Sequence, residues 1–158
     1  MEKCLCFLML HILLDSHPLG LASAPARNAE AIAFDNWTTA CLDAGHKIYI
    51  PEVIDYELRR ELLRAGKTNS VRKLDGLKAI LRFLPISSPA MLLAATLWSQ
   101  SRQSGLPTGD PKKLDIDVIL AAQALTLGVP AGDLIVATSN VSHLARFVPA
   151  DFWNSIKP

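Results

Sequence analysis

Three acidic residues of this 158-residue chain fall where an idle carboxylate is out of place. Asp15 ends the apolar run HILL and is followed by the small, turn-forming residues SHPLG. Glu57 lies beside the stripe Val53, Ile54, Leu58 and Leu62 of a predicted helix, since successive helical residues turn by about 100°. Asp117 immediately precedes VILAAQAL, a run apolar on nearly every face and therefore expected to be buried. Taken alone, an Asp after a strand serves as metal ligand, nucleophile, helix cap or nothing. Together, the acids point to a divalent cation. Mg²⁺ prefers oxygen ligands, takes one or two carboxylates directly and leaves others to act through its waters. Without metal, gathered carboxylates repel one another, so such a cluster is rarely kept for folding alone. One or two ions held there would bind a phosphodiester oxygen, activate water and stabilise the leaving oxygen. The other acids read more plainly. Glu52, Arg59, Arg60 and Arg64 fit solvated or capping charges, and Glu61 stands one turn beyond Glu57. Asp55 is expected to be exposed, and Asp115 to be a helix-start charge favoured by the dipole and facing away from Asp117.

Short apolar runs alternate with amphipathic stretches, without repeats or low-complexity segments, which predicts an α/β fold with a mainly parallel central sheet. A strand is expected over 9–14, a helix over 28–44 stopped by Gly45, and a strand over 47–50. Pro51 suits the first position of a helix running to Gly66. Apolar residues from Val71 to Leu84 recur at helical spacing and predict a helix over 68–84, with a short strand near Pro85 and Ile86. Ser88 is expected to cap a helix from Pro89 to about Gln103. SGLPTGDPKK then reads as a polar loop, LDIDVILAAQALTLG as a mostly apolar helix, DLIVAT as a strand and 141–147 as a short helix. In a parallel sheet ligands bind at the carboxyl ends of the strands, where Asp15, Glu52 and the Ser139–Asn140 pair fall.

Half of the residues are hydrophobic, enough for one domain with a sizeable core, expected over 9–158 with 1–8 as an N-terminal extension. Sixteen Lys and Arg against fifteen Asp and Glu leave a formal charge of +1 and no global field for a polyanion. Any nucleic-acid contact must come from a local patch. Cys4, Cys6 and Cys41 are an odd set in a chain that needs no disulfide framework, and C-x-C without a second ligand pair is no zinc site; a reducing cytoplasm fits best. Lys3 followed by CLCFLMLHILL resembles a secretory signal, but the run passes straight into Asp15 without a small-x-small cleavage site. It is also shorter than the ~20 apolar residues of a membrane span. Met9 is a second possible start of translation.

The order ILLDS, IPEVIDYELRREL, LDIDVILAAQAL and LIVATSNVSHLARF resembles, over nearly the whole chain, a PIN domain, the nuclease fold of VapC-type toxins from toxin–antitoxin operons. The resemblance implies a three-layer α/β/α sandwich and a site of Asp15, Glu57, Asp117 and Asn140, with Asp15, Glu57 and Asp117 holding metal. It implies an Mg²⁺- or Mn²⁺-dependent endoribonuclease, commonly a homodimer, held inactive by a small cognate antitoxin. The apolar helices over 68–103 agree with a dimer. Two positions depart from the family pattern. Asp15-Ser16-His17 replaces an Asp-Thr-Asn or Asp-Ser-Asn triplet, although Ser16 can still help position a metal water. Asn140 supplies a neutral amide where an acid is usual, so a weaker second metal site is expected. His143 reads as structural, and Lys112, Lys113 and Arg146 as solvated charges within reach of RNA phosphate. No aromatic platform for stacked bases is evident. A haloacid-dehalogenase-type phosphatase would need an acid where His17 stands, the acidic pattern of a receiver domain is missing, and no Walker motif occurs. The alternative is a PIN-fold binding or regulatory module without useful catalysis.

Overall fold

The computed structural model describes residues 8–105 and 110–158; Cys4 and Cys6 lie outside them. Five parallel strands form one sheet in the order β3-β2-β1-β4-β5: β1 His11–Leu14, β2 Lys47–Pro51, β3 Arg82–Leu84, β4 Leu134–Thr138 and β5 Ala150–Phe152. The connections are α1 Ser16–Ser23 and α2 Ala29–Asp43, then α3 Glu52–Arg64 and α4 Thr68–Leu77, then α5 Ser88–Gln103 and α6 Pro111–Leu125, and finally α7 Val141–Leu144. The chain winds from β1 to β2 to β3 in one direction, then crosses back to β4 and β5 on the other side of β1. Right-handed crossovers therefore put helices on both faces, giving the three-layer α/β/α arrangement expected from the sequence. The reversal falls between β1 and β4, and a crevice opens at the carboxyl ends of strands at such a point.

The two central strands are buried along almost their whole length, as parallel strands covered on both faces must be. Beneath them Phe34, Trp37 and Trp153 form an aromatic cluster with ring centroids 5.3 to 5.8 Å apart, and the Trp37 indole donates to the Ile156 carbonyl at 2.8 Å. A smaller core of Ala90, Ala94, Leu114, Val118 and Ala122 joins α5 to α6. Gln123, the polar residue inside the apolar α6, is almost fully buried. Its amide accepts from Val53 N–H (3.3 Å) and donates to the Leu84 carbonyl (2.8 Å), tying α6 to α3 and β3.

Several elements differ from the expectations. The stretch after Asp15, read as turn-forming, is the helix α1. Pro18 sits in its first turn, where a missing N–H leaves no acceptor unsatisfied. Gly20 is accommodated in the helix facing Leu58 of α3, where a Cβ would make only ordinary contact at 4.0 Å. The first strand begins at His11 rather than Met9, which is exposed. Pro51 closes β2 with extended backbone (ψ 137°) instead of opening α3. The helix expected over 68–84 stops at Leu77, because Arg82–Leu84 is drawn into pairing with Tyr49–Pro51. In α6, Asp110 caps a helix that starts at Pro111, so Lys112 and Lys113 are helical rather than in the loop. Edge strand β5, three residues long, has no counterpart among the predicted elements.

Candidate active site

Asp15 stands at the junction of β1 and α1, on the crevice beside β4. Its N–H donates to the Ala137 carbonyl (3.0 Å), its Oδ1 accepts from Ser16 N–H (2.7 Å), and its Oδ2 accepts from the Thr138 hydroxyl (2.6 Å). The Thr138 Oγ1 in turn accepts from Asn140 N–H at 2.9 Å. With the threonine proton committed to it, the buried Asp15 carboxylate is fixed in one orientation.

Glu57 reaches the same place from α3. It is half-buried, and burial, followed by the charge of Asp15, raises its pKa; the Ser16 hydroxyl, Arg60 and Lys113 pull the other way. Asp117 comes from α6, nearly two turns in, so the helix dipole does not account for it. Its side chain is 15% exposed, and burial, followed by the charges of Asp15 and Glu57, pushes its pKa up to about 7. Arg146 and Lys113 oppose this without cancelling it. Three carboxylates from three separate elements thus interact, with too little positive charge to neutralise them.

The remaining predicted residues are placed differently. Asn140 lies next to the site through its main chain, but its side chain is exposed and caps no helix N–H. His17 points away, its Nε2 3.1 Å from Glu30 on α2. His143, read as structural, lies at the rim with Nδ1 4.0 Å from Asp117 Oδ2. Asp115 is exposed and lines a separate cavity with Met91 and Trp98, away from the acids. Glu52 is a tether, accepting from Ile86 N–H at 2.6 Å. Asp55 corrects an expectation of exposure. It is buried, gripped by Arg59 at 2.9 Å through both oxygens and by Lys78 at 3.2 Å. Burial alone would raise its pKa, but these two cations hold it below the ordinary range.

Sequence reasoning missed Thr138 as the partner of Asp15. The available signal was a hydroxyl at the end of a buried apolar strand, where it must find a partner. Among the described residues, no three His, Cys, Asp or Glu side chains stand close enough to grip one ion directly. The all-oxygen donor set still fits a hard cation that keeps several of its waters and takes part of its ligation through them.

No protein-family model matches the chain, and no curated protein does. Solved structures do. A chain of VapBC2 from Rickettsia felis, bound to a DNA fragment from their promoter, superposes with a TM-score of 0.69 at 18% identity, over 91% of this chain and 99% of that one. A chain of DNA-bound VapBC from Salmonella typhimurium gives 0.59 at 19% identity, over 92% and 99%. One of VapBC-1 from nontypeable Haemophilus influenzae gives 0.57 at 15% identity, over 92% and 99%. At these identities the likeness is one of fold, and it runs through every layer described above. The chain has the PIN-like fold, shared almost end to end with chains of VapBC structures.

Proposed function

We propose that the chain is a divalent-metal-dependent endoribonuclease, the toxin of a type II toxin–antitoxin pair. The observation that carries this reading is the meeting of Asp15, Glu57 and Asp117 at the sheet's switch point without neutralising charge. Asp15 and Asp117 would hold Mg²⁺ or Mn²⁺, with Glu57 assisting through a metal-bound water. A divalent ion bound there would supply Lewis-acid chemistry, polarising a phosphodiester oxygen and acidifying an attacking water. Asp15, locked by Thr138 and Ser16, sets the position of the cluster. Asp117, whose pKa is pushed up to about 7, would release its proton to solvent on binding a cation. Lys113 and Arg146 offset the repulsion between these acids and an incoming phosphate.

The chains of similar fold come from VapBC complexes, which supports a small cognate antitoxin as partner. Met91, Leu92 and Trp98 stand 45, 73 and 41% exposed on α5, which supports a homodimer through that helix. No described helix is long and apolar enough to cross a membrane. Burial pushes the pKa of the Cys41 thiol up to about 11, which leaves it unreactive.

The test is cleavage of a pool of structured cellular RNAs by the purified, antitoxin-free chain with Mg²⁺ or Mn²⁺, beside EDTA and Asp117→Asn. Metal-dependent cuts that vanish in the variant are expected. A second reading, a PIN-fold binding module, is favoured by the neutral, exposed Asn140. A folded chain that binds RNA or a partner but never cuts would establish it.

A further inference from the structure

Behind the rim of the acidic site lies a cavity of about 280 Å³, between the last turn of α5 and the segment after α7. Its walls are of two kinds. Leu97 and Phe147 are apolar; Gln100, Ser101, Ser104 and Arg146 are polar. Arg146 connects it to the acids, because its Nε donates to the His143 carbonyl at 3.2 Å and His143 stands 4.0 Å from Asp117. The Arg146 guanidinium lies over the Phe147 ring, 5.3 Å from the centroid, and among the described residues no carboxylate pairs with it. Ser101 is 6% exposed, and its hydroxyl has no hydrogen-bond partner among the described residues. A buried hydroxyl left without a partner calls for an explanation such as a group supplied from outside.

The chemistry narrows that group. The last carbonyls of α5 give this end of the helix negative polarity, which disfavours a bare phosphate and favours a ligand that also carries N–H donors. The apolar walls and the stacked guanidinium favour a flat ring. A single-stranded nucleobase, splayed out and read along its edge, meets both demands. Guanine suits it best, since its O6 and N7 accept from an arginine fork while its N1–H and N2–H₂ donate to carbonyl and amide oxygens.

We propose that this cavity is a base-recognition pocket, taking a guanine of the RNA strand whose scissile phosphate lies at Asp117. It deepens the ribonuclease reading and rests on it for the identity of the ligand, yet it is testable apart from cleavage. The probes are 5′-labelled single-stranded octaribonucleotides, all adenine or with one internal guanine, inosine or uracil. Fluorescence anisotropy in EDTA measures binding without cutting. The expected result is a preference for guanine over adenine of about tenfold, the range of one good bidentate contact. Inosine, which keeps O6 and N7 but lacks the amino group, falls between. Arg146→Gln should bring the ratio toward one while weakening all four probes, since it also removes a charge that favours phosphate, and Gln100→Ala should bring the ratio toward one while leaving the all-adenine affinity within about threefold. Ser104→Leu, which narrows the cavity without touching charge, should do the same.

Equal affinity for all four probes, no measurable binding, or a guanine preference unchanged in Arg146→Gln and Gln100→Ala would each overturn the pocket. The nuclease reading is scored separately, by adding Mn²⁺ to the same probes. Cutting without base preference leaves the nuclease and removes the pocket. An Arg146-dependent guanine preference without cutting leaves the pocket and removes the nuclease.

Discussion

Asp117 is held in the fold under conditions that oppose its own charge. Its pKa rises to about 7 from an ordinary 3.8, so between those values the unfolded chain releases a proton that the folded chain keeps. The unfolded state then binds fewer protons, and stability falls as pH rises from about 4 to about 7, with the full penalty above that range. Three pH units of displacement correspond to a few kcal/mol, since one unit is about 1.4 kcal/mol. In EDTA, Asp117→Asn should therefore melt close to the parent at pH 4 and several degrees above it at pH 8. Mn²⁺ at pH 8 should raise the parent and not the variant. Calorimetric melting across pH, with and without metal, checks both; a variant less stable than the parent at pH 8 in EDTA would refute the electrostatic account. At this scale the sequence was informative wherever an acid interrupts an apolar pattern, as Asp15, Glu57 and Asp117 do. Asp55 was not legible, because its charge is satisfied by Arg59, one turn away, and by Lys78, which only the fold brings near. Thr138 was not legible either, since its partner lies 123 residues away.

Among the elements, α3 and α4 are bound by charge as well as by apolar contact. Arg59 on α3 links Asp55 of its own helix to Asp75 on α4, at 2.7 Å from the latter. Asp55→Ala leaves the partly buried Arg59 with Asp75 alone and Lys78 without its carboxylate. Because both cations are partly exposed, the loss is screened below that of a fully buried pair, to about 2 kcal/mol. Urea unfolding should show a lower midpoint at an unchanged m-value. Helices with good formers and clear stops, such as α2 and α3, were readable from spacing alone. The end of α4 was not. Leu74, Leu77, Ile80, Leu81 and Leu84 continue a helical rhythm, and only the pairing of β3 with β2 breaks it. The first helix was hidden for the opposite reason: Pro18 and Gly20 read as turn formers, although Pro18 occupies a permitted first-turn position and Gly20 is accommodated inside the helix.

For the whole molecule, alternation of apolar runs and amphipathic stretches was enough to predict an α/β fold with a mainly parallel sheet, while the three-layer sandwich came from the family resemblance. Strand order and the short edge strand β5 depend on tertiary pairing and were not predictable from periodicity. The exposed face of α5 borders a cavity of about 410 Å³ lined by Met91, Ala94, Trp98 and Ile119. Light scattering should give twice the 17.2 kDa chain mass, and Leu92→Glu combined with Trp98→Glu should return it to one chain. A monomeric parent would remove the dimer from the proposal. The bond from Thr138 to Asp15 belongs to this scale as well, because it joins the two strands between which the winding reverses while Asp15 also caps α1. One carboxylate is therefore a rivet as well as a member of the proposed site. On the nuclease reading, a substitution at residue 15 would confound inactivity with scarcity, whereas one at residue 117 would leave an abundant chain in which loss of cutting can be read on its own.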